Sequence, residues 1–139
     1  MKKYLILGIT FIVLLLNNSC NDIEIPNENS LVGNWRITSF VMDGNDITEL
    51  FSGYIISCEE DGTMTISGNG NTYFCDWEWN DANHSECIIQ LHSCDQQFII
   101  WQLQNVWNIS DNNENICSFE SKGSMHHNKM FWTKVDLGS

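Results

Sequence analysis

Basic residues are scarce in this chain: six Lys or Arg stand against 18 Asp or Glu in 139 residues, a formal charge of −12. A surface of that sign repels phosphate backbones and anionic headgroups, which excludes a nucleic-acid partner. Proline occurs once, at Pro26, so little in the chain interrupts sheet ladders. There is no Cys-x2-Cys pair, no phosphate-binding glycine loop, no nucleophile elbow and no paired-carboxylate signature. Nothing here asks for a catalytic role, and the expectation is a protein that is not an enzyme and needs no cofactor. A long apolar run is missing too. The longest, Tyr4 to Leu16, is broken only by Gly8 and Thr10. As a helix it reaches about 20 Å, short of the ~30 Å hydrocarbon core of a bilayer.

What stands around that run is informative. Lys2 and Lys3 precede it, and Asn17, Asn18 and Ser19 lead from it into Cys20. A basic start, a short apolar stretch and small residues before a cysteine make an export signal. It resembles a bacterial lipoprotein signal over residues 1–19, with Cys20 as the lipidated first residue of the mature chain. The place three residues before the cysteine departs from that pattern, being Asn17 where Leu or Val is usual. Loss of Lys2 and Lys3 leaves four Lys or Arg against 18 acids, a charge of 4 − 18 = −14. Residues 20–30 are polar and acidic and read as a tether. A lipid-anchored protein of the bacterial outer membrane, facing the periplasm or the exterior, is the expected address.

From Leu31 the chain breaks into eight or nine short β-type runs with turn residues every 8 to 12 positions and no convincing amphipathic helix. Trp35–Met42 is the first, followed by an Asp43-Gly44-Asn45 turn and a single helical turn over Ile47–Phe51 that caps a barrel end. Glu60-Asp61-Gly62 closes a hairpin. A three-residue loop with Gly62 left-handed sets Ile56 opposite Ile66 and Cys58 opposite Met64, pairing apolar with apolar. Thr72–Asn80 alternates, with Tyr73, Cys75, Trp77 and Trp79 on one face and Phe74 as the exception. Cys87–His92, Phe98–Leu103, Val106–Ile109, Ile116–Glu120 and Lys129–Val135 complete the strands. Sheets of this size close or stack. The expected fold is all-β, a single antiparallel up-and-down barrel of about eight strands over residues 31–137, with a two-sheet sandwich as the alternative.

Leu31-Val32-Gly33-Asn34-Trp35-Arg36-Ile37 resembles the Gly-x-Trp opening of lipocalins. Phe51-Ser52-Gly53-Tyr54, Glu60-Asp61-Gly62-Thr63, Trp107-Asn108-Ile109 and Phe131-Trp132-Thr133-Lys134 follow in the order seen in lipocalin-like lipoproteins of the Bacteroidetes type. The resemblance implies that Trp35 plugs the closed end of a barrel, with Lys134 as its cation and Gly33 allowing the approach. It departs from the pattern at Cys75, where glycine is common, and at Cys58, where an aromatic is common.

The remaining candidates are modest. Five cysteines follow Cys20, an odd number, so at least one thiol stays free or pairs with another chain. Cys75 and Cys87 lie on the arms of one hairpin and are the candidate disulfide; buried thiols acting as small apolar residues are the alternative. Cys87, His92 and Cys94, with His126 and His127, do not make a persuasive metal set, and no metal site is expected. Tyr54, Ile56, Tyr73, Trp77 and Trp79 either line an apolar cavity or fill the core. The expected work is non-catalytic binding of a small apolar ligand or an envelope protein; the alternative is a structural or protein-interaction module with a filled barrel.

Overall fold

Runs of β-branched and aromatic residues favour pleated, half-buried strands, and the Gly, Asn and Asp between them let the chain double back at short intervals. The computed structural model describes residues 31–92, 98–123 and 125–138. The signal segment, Cys20, the tether and Cys94 lie outside the described residues.

Nine strands form one antiparallel sheet: β1 (Gly33–Met42), β2 (Asn45–Asp46), β3 (Ile55–Cys58), β4 (Thr63–Gly68), β5 (Asn71–Trp79), β6 (Glu86–Leu91), β7 (Asn105–Asn112), β8 (Ile116–Ser121) and β9 (Asn128–Lys134). Neighbours in sequence are neighbours in the sheet, except that the two-residue β2 hangs on the outer end of β1. β9 returns to pair with β1, from Trp35 opposite Lys134 to Met42 opposite Asn128. That pairing closes eight strands into an up-and-down barrel and removes the sandwich alternative. We call the end where β1 begins the lower end and the end where it finishes the upper end.

The β3–β4 hairpin has the expected three-residue loop. Glu59 and Thr63 close it, Gly62 sits at φ +87°, and Ile56 faces Ile66 while Cys58 faces Met64. A side chain at that positive φ is strained, so the glycine fixes the loop and the loop fixes which residues face inward. On β1 the inward positions are Trp35, Ile37 and Phe40, a spacing that simple alternation does not give. A bulge between Ile37 and Ser39 inserts one residue and returns Phe40 to the core.

Two segments join β1 to β3 and β6 to β7 at the upper end. The first contains a 3₁₀ turn over Thr48–Phe51, whose Phe51 is fully buried while Leu50 is 48% exposed. The second corrects the reading of Phe98–Leu103 as a strand: Phe98–Trp101 is one turn of helix, α1. Ile100 and Leu103 are three apart and fully buried, whereas Trp101 between them is 38% exposed. One apolar face at that spacing suits a helical turn, and a strand would have buried every second residue instead.

Candidate functional site

Inside the barrel, six rings form a chain from end to end. Trp35 lies 6.4 Å from Trp132, which lies 4.4 Å from Phe119. Phe119 is 6.3 Å from Trp107, and Trp107 is 6.1 Å from Phe40. Phe40 is 5.2 Å from Phe51. Apart from the tighter Trp132–Phe119 pair, each spacing falls within the ~4.5–7 Å range where tilted or edge-to-face rings attract beyond their buried area. Every ring in this column is fully buried or within 1% of it.

Two tryptophans of the column, Trp35 at its lower end and Trp107 in its fourth place, share the same fixing. The Trp35 indole N–H donates to the Leu31 carbonyl at 2.7 Å, and the Trp107 indole N–H donates to the Leu103 carbonyl at 2.9 Å. Both leucines are fully buried. At the lower end the Lys134 ammonium stands 5.3 Å from the Trp35 ring centroid, within cation–π range. Gly33 passes so close that a β-carbon there would meet Lys134 Cε at 2.8 Å, and its φ of +131° disfavours a side chain independently. Around Trp107 no cation stands over the ring among the described residues; Ile100 of α1 and Leu103 after it are fully buried in the same core as Trp107, Phe40 and Phe51.

The other half of the interior, under β3 to β6, is lined differently. Tyr54, Ile56, Tyr73 and Trp77 are all buried there, and the two tyrosine rings lie 6.4 Å apart. The Trp77 indole N–H reaches the Glu59 carbonyl at 3.2 Å, tying its ring to the β3–β4 loop. Trp79 sits at the lower rim, half-buried, with its ring stacked on His84 at 4.7 Å and edge-on to Trp77 at 5.8 Å. Cys58, Cys75, Cys87 and Cys117 also point inward, buried and unbridged. Burial pushes the Cys75 and Cys87 thiols up to about 12 and raises those of Cys58 and Cys117 as well; for Cys58 the neighbouring thiols add to it.

The expected Cys75–Cys87 bridge is therefore corrected. The β5–β6 register sets Cys75 opposite Leu91 and Cys87 opposite Trp79, four residues further along. That offset is about 13 Å at ~3.3 Å per residue, against the ~4.4–6.8 Å between Cα atoms that a disulfide spans. Cys87 and His92 do not converge either, since Cys87 points into the barrel while the exposed His92 pairs with Asp76 outside. Among the described residues no three His, Cys, Asp or Glu side chains are grouped to hold a metal ion.

The outer wall carries a groove of about 470 Å³ beside the β3–β4 loop. Its outward side chains are Asp76, Glu78, Ile88 and Gln90, with Glu60 and Asp61 of the loop beside them and the β5 segment around Trp77 and Trp79 between. The loop is held against β5 by the Trp77 N–H, which donates to the Gly62 carbonyl at 2.8 Å. Bonds from the Thr63 hydroxyl and N–H hold the Asp61 carboxyl below the usual carboxylate range, so it stays ionised at neutral pH. In the sequence these acids are scattered and form no paired-carboxylate signature. The fold gathers them, because the loop brings Glu60 and Asp61 beside the outward residues of β5. The upper plug was missed as well, although the Leu-x3-Trp spacing of Leu31 and Trp35 recurs at Leu103 and Trp107.

No protein-family model matches the chain, and no curated protein matches it. Among solved structures it is similar to the crystal structure of a DUF4847 family protein from Bacteroides vulgatus. The two superpose with a TM-score of 0.55 at 16% identity, over 75% of this chain and 94% of that one. At this identity the likeness is one of fold: a closed barrel of antiparallel strands.

Proposed function

We propose that this protein is a lipid-anchored envelope lipoprotein of the outer membrane whose lipocalin-like barrel works through its outer surface, binding a partner protein without catalysis. The observation that carries this reading is the buried aromatic column from Trp35 to Phe51, two of whose indoles, Trp35 and Trp107, are bonded to buried leucine carbonyls. A barrel that works by enclosing an apolar ligand keeps an open mouth leading to a cavity of ~300 Å³ or more. Phe51 of the upper Thr48–Phe51 turn and Ile100 of α1 are fully buried, and the concavities at Glu60–Gln90 and at Asn83–Asn112 open on the wall and the lower rim. The anchoring reading rests on the Lys2-Lys3 start, the short apolar run and Cys20.

Native mass spectrometry of the purified protein tests the surface reading: the mass of the polypeptide with its anchor alone is expected. A reproducible lipid-sized adduct, retained after delipidation of the anchor, overturns it in favour of an enclosed apolar ligand. Metabolic labelling with palmitate tests the anchor. Incorporation is expected in the native chain and is lost in Cys20→Ser; equal labelling of both removes it.

A further inference from the structure

The ladder between β6 and β7 stops short of the lower rim. Its last partners are Glu86 and Asn108, followed by one bond from the Ile109 N–H to the Ser85 carbonyl. Beyond that point the β5–β6 loop and the end of β7 part, and a cleft of about 200 Å³ lies between them. The loop side is held in shape, since the Asp81 carboxyl accepts from the Ser85 and Glu86 N–H groups and from the Ser85 hydroxyl. It presents His84, whose ring is stacked on Trp79. The β7 side presents Ile109, Asp111 and Asn112. Asn112 takes an inward position opposite the buried Cys117, so its side chain closes the cleft from the barrel side. Its amide oxygen and nitrogen are both buried, and neither has a hydrogen-bond partner among the described residues. Burying such a pair unmatched costs stability, and here the cost is borne at the wall of a cleft. Asp111, exposed at the outer edge, has no side-chain hydrogen bond or ion pair among the described residues either.

We propose that this cleft binds one ring of a neutral sugar. The Asn112 amide requires an occupant that donates and accepts within the span of one carboxamide, and the Asp111 carboxylate requires a further donor. Adjacent hydroxyls of a sugar supply all three, because each hydroxyl both donates and accepts. Ile109 and the His84 ring offer contact to the C–H face of such a ring. Other chemistries match less of the cleft. A cation satisfies Asp111 and leaves the amide nitrogen without an acceptor; an anion meets a carboxylate on a chain of formal charge −12. An apolar molecule leaves both polar groups unmatched. No protein hydrogen bond has to break for the ligand to engage the amide. The volume sets the scale: about 200 Å³ lies below the ~300–1,000 Å³ of sites for drug-sized ligands, so one ring enters and the rest of a longer glycan stays outside. This goes beyond the outer-surface reading and does not rest on it, since the cleft takes a sugar whether or not a protein partner binds elsewhere.

The test is an NMR titration of the isotope-labelled full-length protein, in a detergent without a sugar headgroup. The probes are methyl glucoside, methyl galactoside, methyl mannoside and N-acetylglucosamine, with glucuronate and glucosamine as charged controls. Saturable shifts are expected with at least one neutral sugar, centred on the Asn83–Ser85 loop, Ile109–Asn112 and the Trp79 indole. Asn112→Val is expected to weaken that binding at least about tenfold, the size of one or two lost hydrogen bonds. The same substitution is expected to raise the urea midpoint, because apolar atoms replace unmatched polar ones. Asp111→Asn should weaken binding about fivefold, the difference between a charged and a neutral acceptor, and Asp136→Asn, outside the cleft, by less than about twofold. Absence of saturation with all four neutral sugars overturns the proposal and leaves a cleft that holds only solvent. Shifts centred elsewhere overturn it too, as does equal binding of the charged controls. A lower urea midpoint in both Asn112→Val and Asn112→Ala also overturns it, since the amide then serves the fold and not a ligand.

Discussion

The two ends of the barrel solve one problem with different means. Each must close over a tryptophan without stranding an indole N–H, and each does so by donating to a leucine carbonyl four residues earlier. At the lower end the leucine and tryptophan straddle the start of β1, and a lysine from β9 supplies a cation over the ring. At the upper end the leucine follows a helical turn, and Phe40 and Phe119 supply ring contacts. The hydrogen bond and ring contacts are thus shared, and the cation is what the lower end adds.

Truncation breaks this comparison most severely. Trp107→Ala and Trp35→Ala each remove a fully buried indole, and each is expected to cost ~3–5 kcal/mol in urea unfolding. Their costs should add to within about 0.5 kcal/mol, as distant sites do; a strong coupling would show that the ring column transmits strain between the ends.

The shared hydrogen bond is isolated by Trp→Phe at the same positions. The ring remains and a buried leucine carbonyl loses its donor, for an expected loss of about 1–3 kcal/mol at either end. A much smaller cost at one end would mean that the carbonyl finds another donor there.

Between the ends, the four thiols give a pH signature. Their pKa values are raised by burial, so the folded state keeps its protons where the unfolded chain releases them. Stability is intact below about 9 and falls as pH rises towards about 12, by up to about 1.4 kcal/mol per pH unit for each thiol. Flat stability from pH 9 to 11 in guanidinium titrations contradicts their burial. Thiol counting should find none of the four reactive in the native state.

The smallest effect sharpens the difference between the ends. Lys134→Met keeps the stem over Trp35 and removes the charge, costing about 0.5–1 kcal/mol. It should leave the effect of Trp107→Phe unchanged.

How far the sequence spoke depended on where the controlling interaction lay along the chain. The β3–β4 register was legible because one glycine at positive φ decides the loop and the loop decides the faces. The lower plug was legible because Gly33, Trp35 and Lys134 fall in a familiar order. The upper plug was not, because Phe98–Trp101 is an apolar run whose period over a few residues suits a strand or a helical turn equally. The bulge after Ile37 was silent for a related reason: an inserted residue is set by the partner strand β9, far away in sequence. The acidic rim was visible only as scattered charges, since Glu60 and Asp61 meet Asp76 and Glu78 through the fold of the loop and not through spacing.

Pairing of β9 with β1 has one more consequence. Once the ring is shut, the main chain of the eight barrel strands has no free row of amides and carbonyls along which another polypeptide could stack, and the overhanging β2 offers only two residues. Recruitment by strand donation, and fibril growth by the same route, are thereby denied to the native molecule. Whatever associates with it must recognise side chains, not backbone.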